Sequence, residues 1–471
     1  MKKQIISDAF NEISDTHIAE AAAVPKRKTL PWLGAIAAVL ALVLLFRFVD
    51  IPMAIAAEAV STPSEPRLAY RPELDDYATR EEWLQELTHW EAERDLRSDT
   101  AKNALKEMDI FLKDSCNEFL SGGQSNQLYS PINAYIGLAM AAELTTGNTR
   151  QQILSTLGTE DLASLRQQVS AIWETVYRDD GNEICTLANA LWLDDEAKFH
   201  QEPMDALAYH YYSSVYQQDL SSKRTAKDIQ AWLNNNTGGL LRDSVQSIQL
   251  PEDAVMMLYS TIYFQAKWSE EFSSAQNTND IFHAPQGNIT CTFMNQKLRQ
   301  MHYYWGESFG AVALGLKNGS KMWFILPDED KSIDMVLAEG EYLDMVAAPY
   351  EGWENTKYMK VNLSVPKFDI QAKQNLRSGF EKMGITDLFQ YGLADFSGAF
   401  EGPVFLTAAN QAVRVEIDEQ GVKAAAYIEL PGAGAAMPPE EIIDFVLDRP
   451  FLFVISGRSG IPLFAGTVNQ P

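Results

Sequence analysis

Between Asp418 and Glu441 the chain carries two patterns that ordinarily exclude one another. The later half, Pro431-Gly432-Ala433-Gly434-Ala435-Ala436-Met437-Pro438-Pro439, has the composition of a loop: its small residues give a core nothing to hold, and its prolines interrupt strand ladders. The earlier half alternates with the period of a strand. Val422, Ala424, Ala426, Ile428 and Leu430 fall on one face, which has no charge to bury; Lys423, Ala425, Tyr427 and Glu429 fall on the other. Upstream, Val413–Ile417 reads as a strand feeding into this segment. A stretch that suits an exposed loop and is also patterned as half of a sheet can exchange one state for the other once a protease has cut it.

Gly421 followed by a run of alanines and preceded by Ile417-Asp418-Glu419 resembles the hinge of the serpins, the serine protease inhibitors. Further stretches follow in that family's order. They are Asn126-Gln127-Leu128-Tyr129-Ser130-Pro131, Thr146-Gly147-Asn148-Thr149-Arg150-Gln151-Gln152-Ile153, Ala188-Asn189-Ala190-Leu191-Trp192 and Ile262-Tyr263-Phe264-Gln265-Ala266-Lys267-Trp268. Val365-Pro366-Lys367-Phe368, Ala394-Asp395-Phe396-Ser397-Gly398, Arg449-Pro450-Phe451 and Phe464-Ala465-Gly466 complete the set. The resemblance runs from near Ala104 to the end of the chain. It implies one α+β domain with three β-sheets, about nine helices and an exposed reactive-centre loop. It also implies a mechanism. A target serine protease takes the loop as substrate and forms an acyl-enzyme; the cut loop then inserts as an extra strand of sheet A, and the trapped protease cannot finish the reaction. The chain would thus be a protease inhibitor and not an enzyme, monomeric, without cofactor or metal, its partner a protease held in a covalent acyl complex.

The same resemblance assigns residues. Glu419, Gly421, Val422, Ala424, Ala425 and Ala426 form the hinge. Counting from Gly421 puts the reactive bond at Ala435–Ala436, with Met437 as the alternative because the chain beyond it is longer than usual. Small apolar residues there suit elastase-like or subtilisin-like proteases. Ser130, Asn133, Ser260, Trp268 and Gln411 fall in the region that controls opening of sheet A. Asn133 stands where the family usually has Ser, Ser260 where it has Asn, and Gln411 where it has His. All three can still donate and accept hydrogen bonds, which predicts one rewired polar network. The loop departs from the inhibitory pattern at Val422, Tyr427, Ile428 and Pro431. Pro431 lacks the N–H that a central strand needs. Tyr427 lies on the exposed face and is tolerated; Val422, Ile428 and Pro431 keep a second function class open, a non-inhibitory cell-surface binding protein on the same fold.

Composition narrows the partners. The formal net charge is −26, which argues against nucleic acid, against an anionic membrane patch and against activation by a heparin-type polyanion, which would need a basic patch. Cys116, Cys185 and Cys291 are scattered and odd in number, so they form neither a disulfide framework nor a metal spacing. His200 and His210 stand apart as surface or core histidines, and no Gly-x-Ser-x-Gly, His-Glu-x-x-His or Walker pattern occurs. Length alone would suggest about three domains at ~150 residues each; the resemblance replaces that with one.

The N-terminus places the domain. Thr29 to Phe46 is uncharged and just long enough to span a bilayer. Lys26-Arg27-Lys28 precede it, which puts residues 1–28 in the cytoplasm, a single-pass anchor at 29–49 and the rest outside the cell. The alternative is a secreted chain cleaved at Ala54-Ile55-Ala56. Residues 50–99 read as a linker or stalk, punctuated by Pro52, Pro63, Pro66 and Pro72, with Trp83, Leu87 and Trp90 on one face of a short helix. Residues 100–471 form the serpin-like domain, beginning with a helix over Ala104–Leu120. The leader loosely resembles those of membrane-anchored proteins of Gram-positive bacteria.

Overall fold

A computed structural model of the protein describes residues 55, 57–63, 72, 74–179, 184–239, 241–242, 248, 250, 254–317, 319–348, 352–422 and 441–471. Met1–Pro52 and Met53–Pro471 separate as two units, and the first lies outside the described residues. The expected tail and anchor fall there. Among the described residues no helix is long and apolar enough to cross a membrane.

Ten α-helices appear among the described residues: α1 Arg80–Glu107, α2 Asp109–Leu120, α3 Pro131–Leu144, α4 Gly147–Thr156, α5 Leu162–Val176, α6 Gln201–His210, α7 Lys223–Asn236, α8 Ile333–Glu339, α9 Glu341–Ala347 and α10 Arg377–Lys382. The 28-residue α1 starts where Thr79 accepts a hydrogen bond from the Glu82 amide at 3.2 Å, with Glu81 and Glu82 in the first turn facing the helix dipole. It runs through the expected boundary at residues 99 and 100. Its first turns are largely exposed, whereas Ala101, Ala104 and Leu105 are buried in the body. The helix expected over Ala104–Leu120 is divided at Met108, where α1 ends and α2 begins. α3 opens with Pro131 at its first position, where a missing N–H costs nothing, and nearly all of it is buried.

The strands form three hydrogen-bonded sheets among the described residues. The first holds β1 Ala59–Ser61, β5 Ser213–Gln217, β4 Ile184–Leu193, β6 Met256–Lys267 and β14 Gly421–Val422 in that order, with β3 Arg178–Asp179 on β4. The second runs β15 Ile442–Val446, β11 Thr356–Pro366, β8 Gly287–Trp305, β9 Phe309–Gly315, β10 Lys321–Pro327, β16 Phe451–Ser456, β17 Pro462–Val468 and β2 Gln127–Tyr129, with β7 Thr278–Ala284 on β8. The third is the antiparallel pair β12 Phe368–Asn375 and β13 Asn410–Ile417. β10 and β16, short apolar runs in the sequence, are central and buried in the second sheet.

One large core lies between the sheets and α2, α3 and α5, and includes Trp268, Trp323, Phe324 and Phe453. A second cluster packs α7 on the outer face of the first sheet, through Ile229, Trp232 and Leu233 against Ala190 and Trp192. Ile55 and Ala57 lie against this second cluster. Residues 50–99, read as a linker, therefore include a strand of the first sheet as well as most of α1.

Candidate functional site: a parted sheet and its hinge

β6 and β13 lie on either side of a gap. Ile262 and Phe264 of β6, Val413 and Val415 of β13, and Phe464 and Ile455 below line two adjoining cavities along it. Among the described residues no backbone ladder joins β6 to β13. Inward side chains alternate along both walls: Gln411, Val413, Val415 and Ile417 are buried on β13, as are Phe264 and Ala266 on β6. Among the described residues the gap thus has an apolar lining.

β14 occupies the head of the gap. β13 turns back on itself at Asp418–Gly421, and Gly421 and Val422 then pair antiparallel with Lys267 and Ala266 of β6. The turn closes where the Asp418 amide donates to the Gly421 carbonyl at 3.1 Å. The Asp418 carboxylate accepts from the amides of Gln420 at 2.8 Å and Gly421 at 3.2 Å. Gly421 has φ +147°, and a Cβ there would sit 2.5 Å from both the Ala266 carbonyl oxygen and the Lys267 Cα. Only glycine fits, for backbone conformation and for space. Val422 is 4 % exposed, its side chain already in the main core.

Three anchors hold the turn. Trp268 is fully buried and its Nε1 donates to the Asp418 carbonyl at 2.8 Å, while its amide donates to the Gln420 carbonyl. The Phe272 amide donates to the Glu419 carbonyl at 3.0 Å. Glu419 Oε1 meets Lys367 Nζ at 2.5 Å and accepts from Asn277 Nδ2 at 2.6 Å. The Lys367 hydrogen bond holds the Glu419 carboxyl below its ordinary value of 4.5 against a smaller opposing effect of burial. Lys367, Asn277 and Asp418 were not singled out as site residues from the sequence. Lys367 lies within a family motif, but nothing local in the chain announces a partner 52 residues away.

Farther down the gap, both walls are tied to α3. Ser260 of β6 donates its hydroxyl to Asn133 Oδ1, and Asn133 Nδ2 returns a bond to the Ser260 carbonyl at 3.1 Å. On the opposite wall, Gln411 of β13 bonds the backbone of Ser130 twice: Oε1 accepts from its amide and Nε2 donates to its carbonyl, both at 2.9 Å. Ser130 also donates its hydroxyl to the Leu463 carbonyl at 2.7 Å. Asn133, Ser260 and Gln411 therefore do not make the single network expected. They form two separate pairs on the first turn of one helix, because the Gln411 amide finds a complete backbone partner in the α3 cap before it can reach Asn133.

The proposed reactive residues Ala435, Ala436 and Met437 and the hinge residues Ala424, Ala425 and Ala426 lie outside the described residues. Cys116 and Cys185 are buried and Cys291 half-buried; burial pushes the Cys116 thiol up to about 12. No cluster of metal-ligating side chains occurs among the described residues.

An apolar-lined gap between β6 and β13, headed by a glycine-hinged hairpin, is the site that the described residues define. The family described as Serpin (serine protease inhibitor) matches residues 112–471, and the chain belongs to it. The leukocyte elastase inhibitor of Homo sapiens is 26 % identical over 373 residues, covering 77 % of this chain and 97 % of the relative. Among solved structures, the thermophilic serpin tengpin in its native state has 24 % identity and a TM-score of 0.68, covering 78 % of this chain and 93 % of that one. Human thyroxine-binding globulin complexed with thyroxine has 22 % identity and a TM-score of 0.66, covering 78 % and 99 %. These two structures show the shared fold. Proteins of the family are in general serine protease inhibitors rather than proteases.

Proposed function

We propose that this serpin is an inhibitor of serine proteases of elastase-like or subtilisin-like preference, acting as a suicide substrate. The protease would cut at Ala435–Ala436, or after Met437, and the freed hinge half would fill the gap between β6 and β13. The observation that carries this reading is Val422, already paired with β6 and buried at the head of that gap. Carried on at the same register, Ala424 would stand between Phe264 and Val415, and Ala426 between Ile262 and Val413. Small apolar residues would then meet the apolar walls, and no charge would be buried. Lys423 would lie opposite Glu416 on the outer face, a favourable cross-strand pair. Ile428 would reach Ser260 and Gln411, whose polar groups are already engaged with α3 and ask nothing of it. Pro431 would fall beyond the first residue of β13, so its missing N–H would break no ladder on that side.

The test is incubation with elastase-like, subtilisin-like and trypsin-like proteases. An SDS-stable band of the summed mass, with a C-terminal fragment starting at Ala436 or just after Met437, supports the reading. Cleavage with no such band selects the non-inhibitory alternative; the likeness to a thyroxine-binding globulin supports the fold's use by binding proteins too. We further propose that residues 29–49 anchor the chain with the inhibitor domain outside the cell, as a monomer. Ile55 packs on the folded domain beside the candidate cleavage site, which favours retention of the anchor. A mature N-terminus at Ala57 would refute that part.

A further inference from the structure

The net charge of −26 conceals one face on which three cations have no ion-pair partner among the described residues. Register defines that face in the second sheet. Val361 pairs with Leu298 and with Ile443, and these point to the core side. The alternate positions point out: Asn362 pairs with Lys297 and Asp444, and Lys360 pairs with Ile442. Arg299, two residues on from Lys297, shares its side. Lys297 and Arg299 are exposed and Lys360 half-buried. None of the three makes an ion pair or side-chain hydrogen bond among the described residues. Of the neighbouring charges, Lys357 pairs with Glu441 at 2.6 Å, and Asp444, which accepts from Asn362 Nδ2 at 2.7 Å, leaves one carboxylate beside the three cations. Two apolar side chains on β15 accompany the cations, Ile442 at 60 % and Val446 at 36 % exposure.

We propose that this face, Lys297, Arg299 and Lys360 beside Ile442, is a docking site for an acidic surface on the protease that cuts the loop. Position selects the occupant. The Lys360 amide donates to the Glu441 carbonyl at 2.9 Å, so the strand leaving residues 423–440 is stitched to the patch. The proposed reactive bond precedes the anchored Glu441 by only five residues, so a protease gripping it is held within about 20 Å of the three cations. Charge selects the partner's chemistry. Free cations in an otherwise acidic protein add nothing to its fold, but they set the local potential that an approaching surface meets. The exposed Ile442 supplies apolar area that a partner can cover. The global charge of −26 repels acidic proteases at long range; the patch turns that repulsion into a preferred orientation at short range. The inference rests on the loop being a protease target, whether or not the protease is afterwards trapped.

The test uses the full chain and one subtilisin-type protease in two forms, one with acidic and one with basic substitutions around its active-site rim. The triple variant Lys297→Glu, Arg299→Glu, Lys360→Glu should be attacked about tenfold or more slowly by the acidic-rim enzyme at low ionic strength, and faster by the basic-rim enzyme. Both differences should shrink as salt rises. The ratio of trapped complex to cleaved chain should not move. An unchanged melting temperature establishes an intact fold; should the triple variant fail to fold, the milder Lys297→Gln, Arg299→Gln pair gives a smaller effect of the same sign. Equal attack rates on variant and parent by both enzymes overturn the proposal. So does binding of the parent chain to anionic phospholipid vesicles through these three cations, with loop cleavage unaffected by their loss. A loop that is cut with the expected charge dependence but never traps the protease refutes only the inhibitor reading.

Discussion

Removing the α3 ties one at a time should separate two clasps that the sequence presents as one. Asn133→Ala leaves the Ser260 hydroxyl and carbonyl without their α3 partner, at a site where Asn133 is 7 % exposed. Orphaning a buried polar group costs about 1–3 kcal/mol, and the half-buried Ser260 puts this loss at the low end, about 1 kcal/mol. Ser260→Ala breaks the same pair from the other side, so the double variant should cost well under the sum, with a coupling of about 1 kcal/mol. Gln411→Ala acts elsewhere. It strands the Ser130 amide, which is fully buried, whereas the Ser130 carbonyl keeps its helical bond from Ala134. One orphaned N–H again implies about 1–3 kcal/mol. Gln411→Ala and Asn133→Ala should therefore be close to additive, within roughly 0.5 kcal/mol. Urea unfolding of the three single and two double variants measures both cycles, and native gels after gentle heating measure conversion to latent or polymeric forms. Both kinds of variant should convert faster. Additivity of Asn133→Ala with Ser260→Ala, or conversion at the parent rate, would refute the reasoning.

Gly421→Ala should cost about 1–3 kcal/mol through its backbone angle alone, with a clash at 2.5 Å on top; calorimetry on the uncut chain reads it, and a change below experimental error would mean the hinge turn does not hold in solution. Val422→Arg should leave cleavage intact while complex yield collapses, since the first inserted side chain would bury an unpaired guanidinium; retained yield on SDS gels would contradict the inward register. The Glu419 carboxyl sits below its ordinary 4.5, so its contact with Lys367 stabilises the fold fully above that pH and loses the contribution as pH falls through the folded value below it. Glu419→Gln should flatten that part of an acid-unfolding profile, and identical profiles would assign the acid sensitivity elsewhere. Deleting residues 1–63 removes Ile55, Ala57 and the Ser61 hydroxyl that donates to Asp205 at 2.7 Å. The melting temperature should fall by about 1–3 °C for a loss of about 1–2 kcal/mol in a domain of this size, whereas an unchanged value would make β1 dispensable.

The hinge was legible because it is local: strand alternation, a glycine and small residues lie within one short stretch, and Val422 falls inward as its parity predicts. The polar groups below the gap were legible as residues but not as bonds. Asn133, Ser260 and Gln411 can each donate and accept, and sequence alone cannot say that the α3 cap satisfies Gln411 twice. Long-range partners such as Lys367 and Asn277 leave no periodic trace. The N-terminal segment misled in a different way: its prolines and charges have linker composition, yet Ala59–Ser61 needs only three residues to pair with β5. The net charge misled by averaging, since Lys297 and Arg299 stand on one face that the sum cannot show.

The two pairs on α3 also suggest how the gap is controlled. If β6 and β13 were tied directly to each other, one broken contact would part the sheet. Here each wall is fastened separately to the first turn of one buried helix, at Ser130 and at Asn133. Admitting a strand requires the walls to stand about 9–10 Å apart, two strand spacings at ~4.8 Å each. Both walls can move only if a pair breaks or α3 shifts within the core. Breaking one pair at about 1–3 kcal/mol slows opening on the order of ten- to a hundredfold, a brake on rate rather than a block. At the head of the gap, by contrast, Val422 is already inside and the Asp418–Gly421 turn is fixed by Trp268 and Glu419. On the proposed mechanism the first residue to insert, Val422, is thus in place before a protease arrives, and the α3 ties mark the place where the remaining steps would be held back.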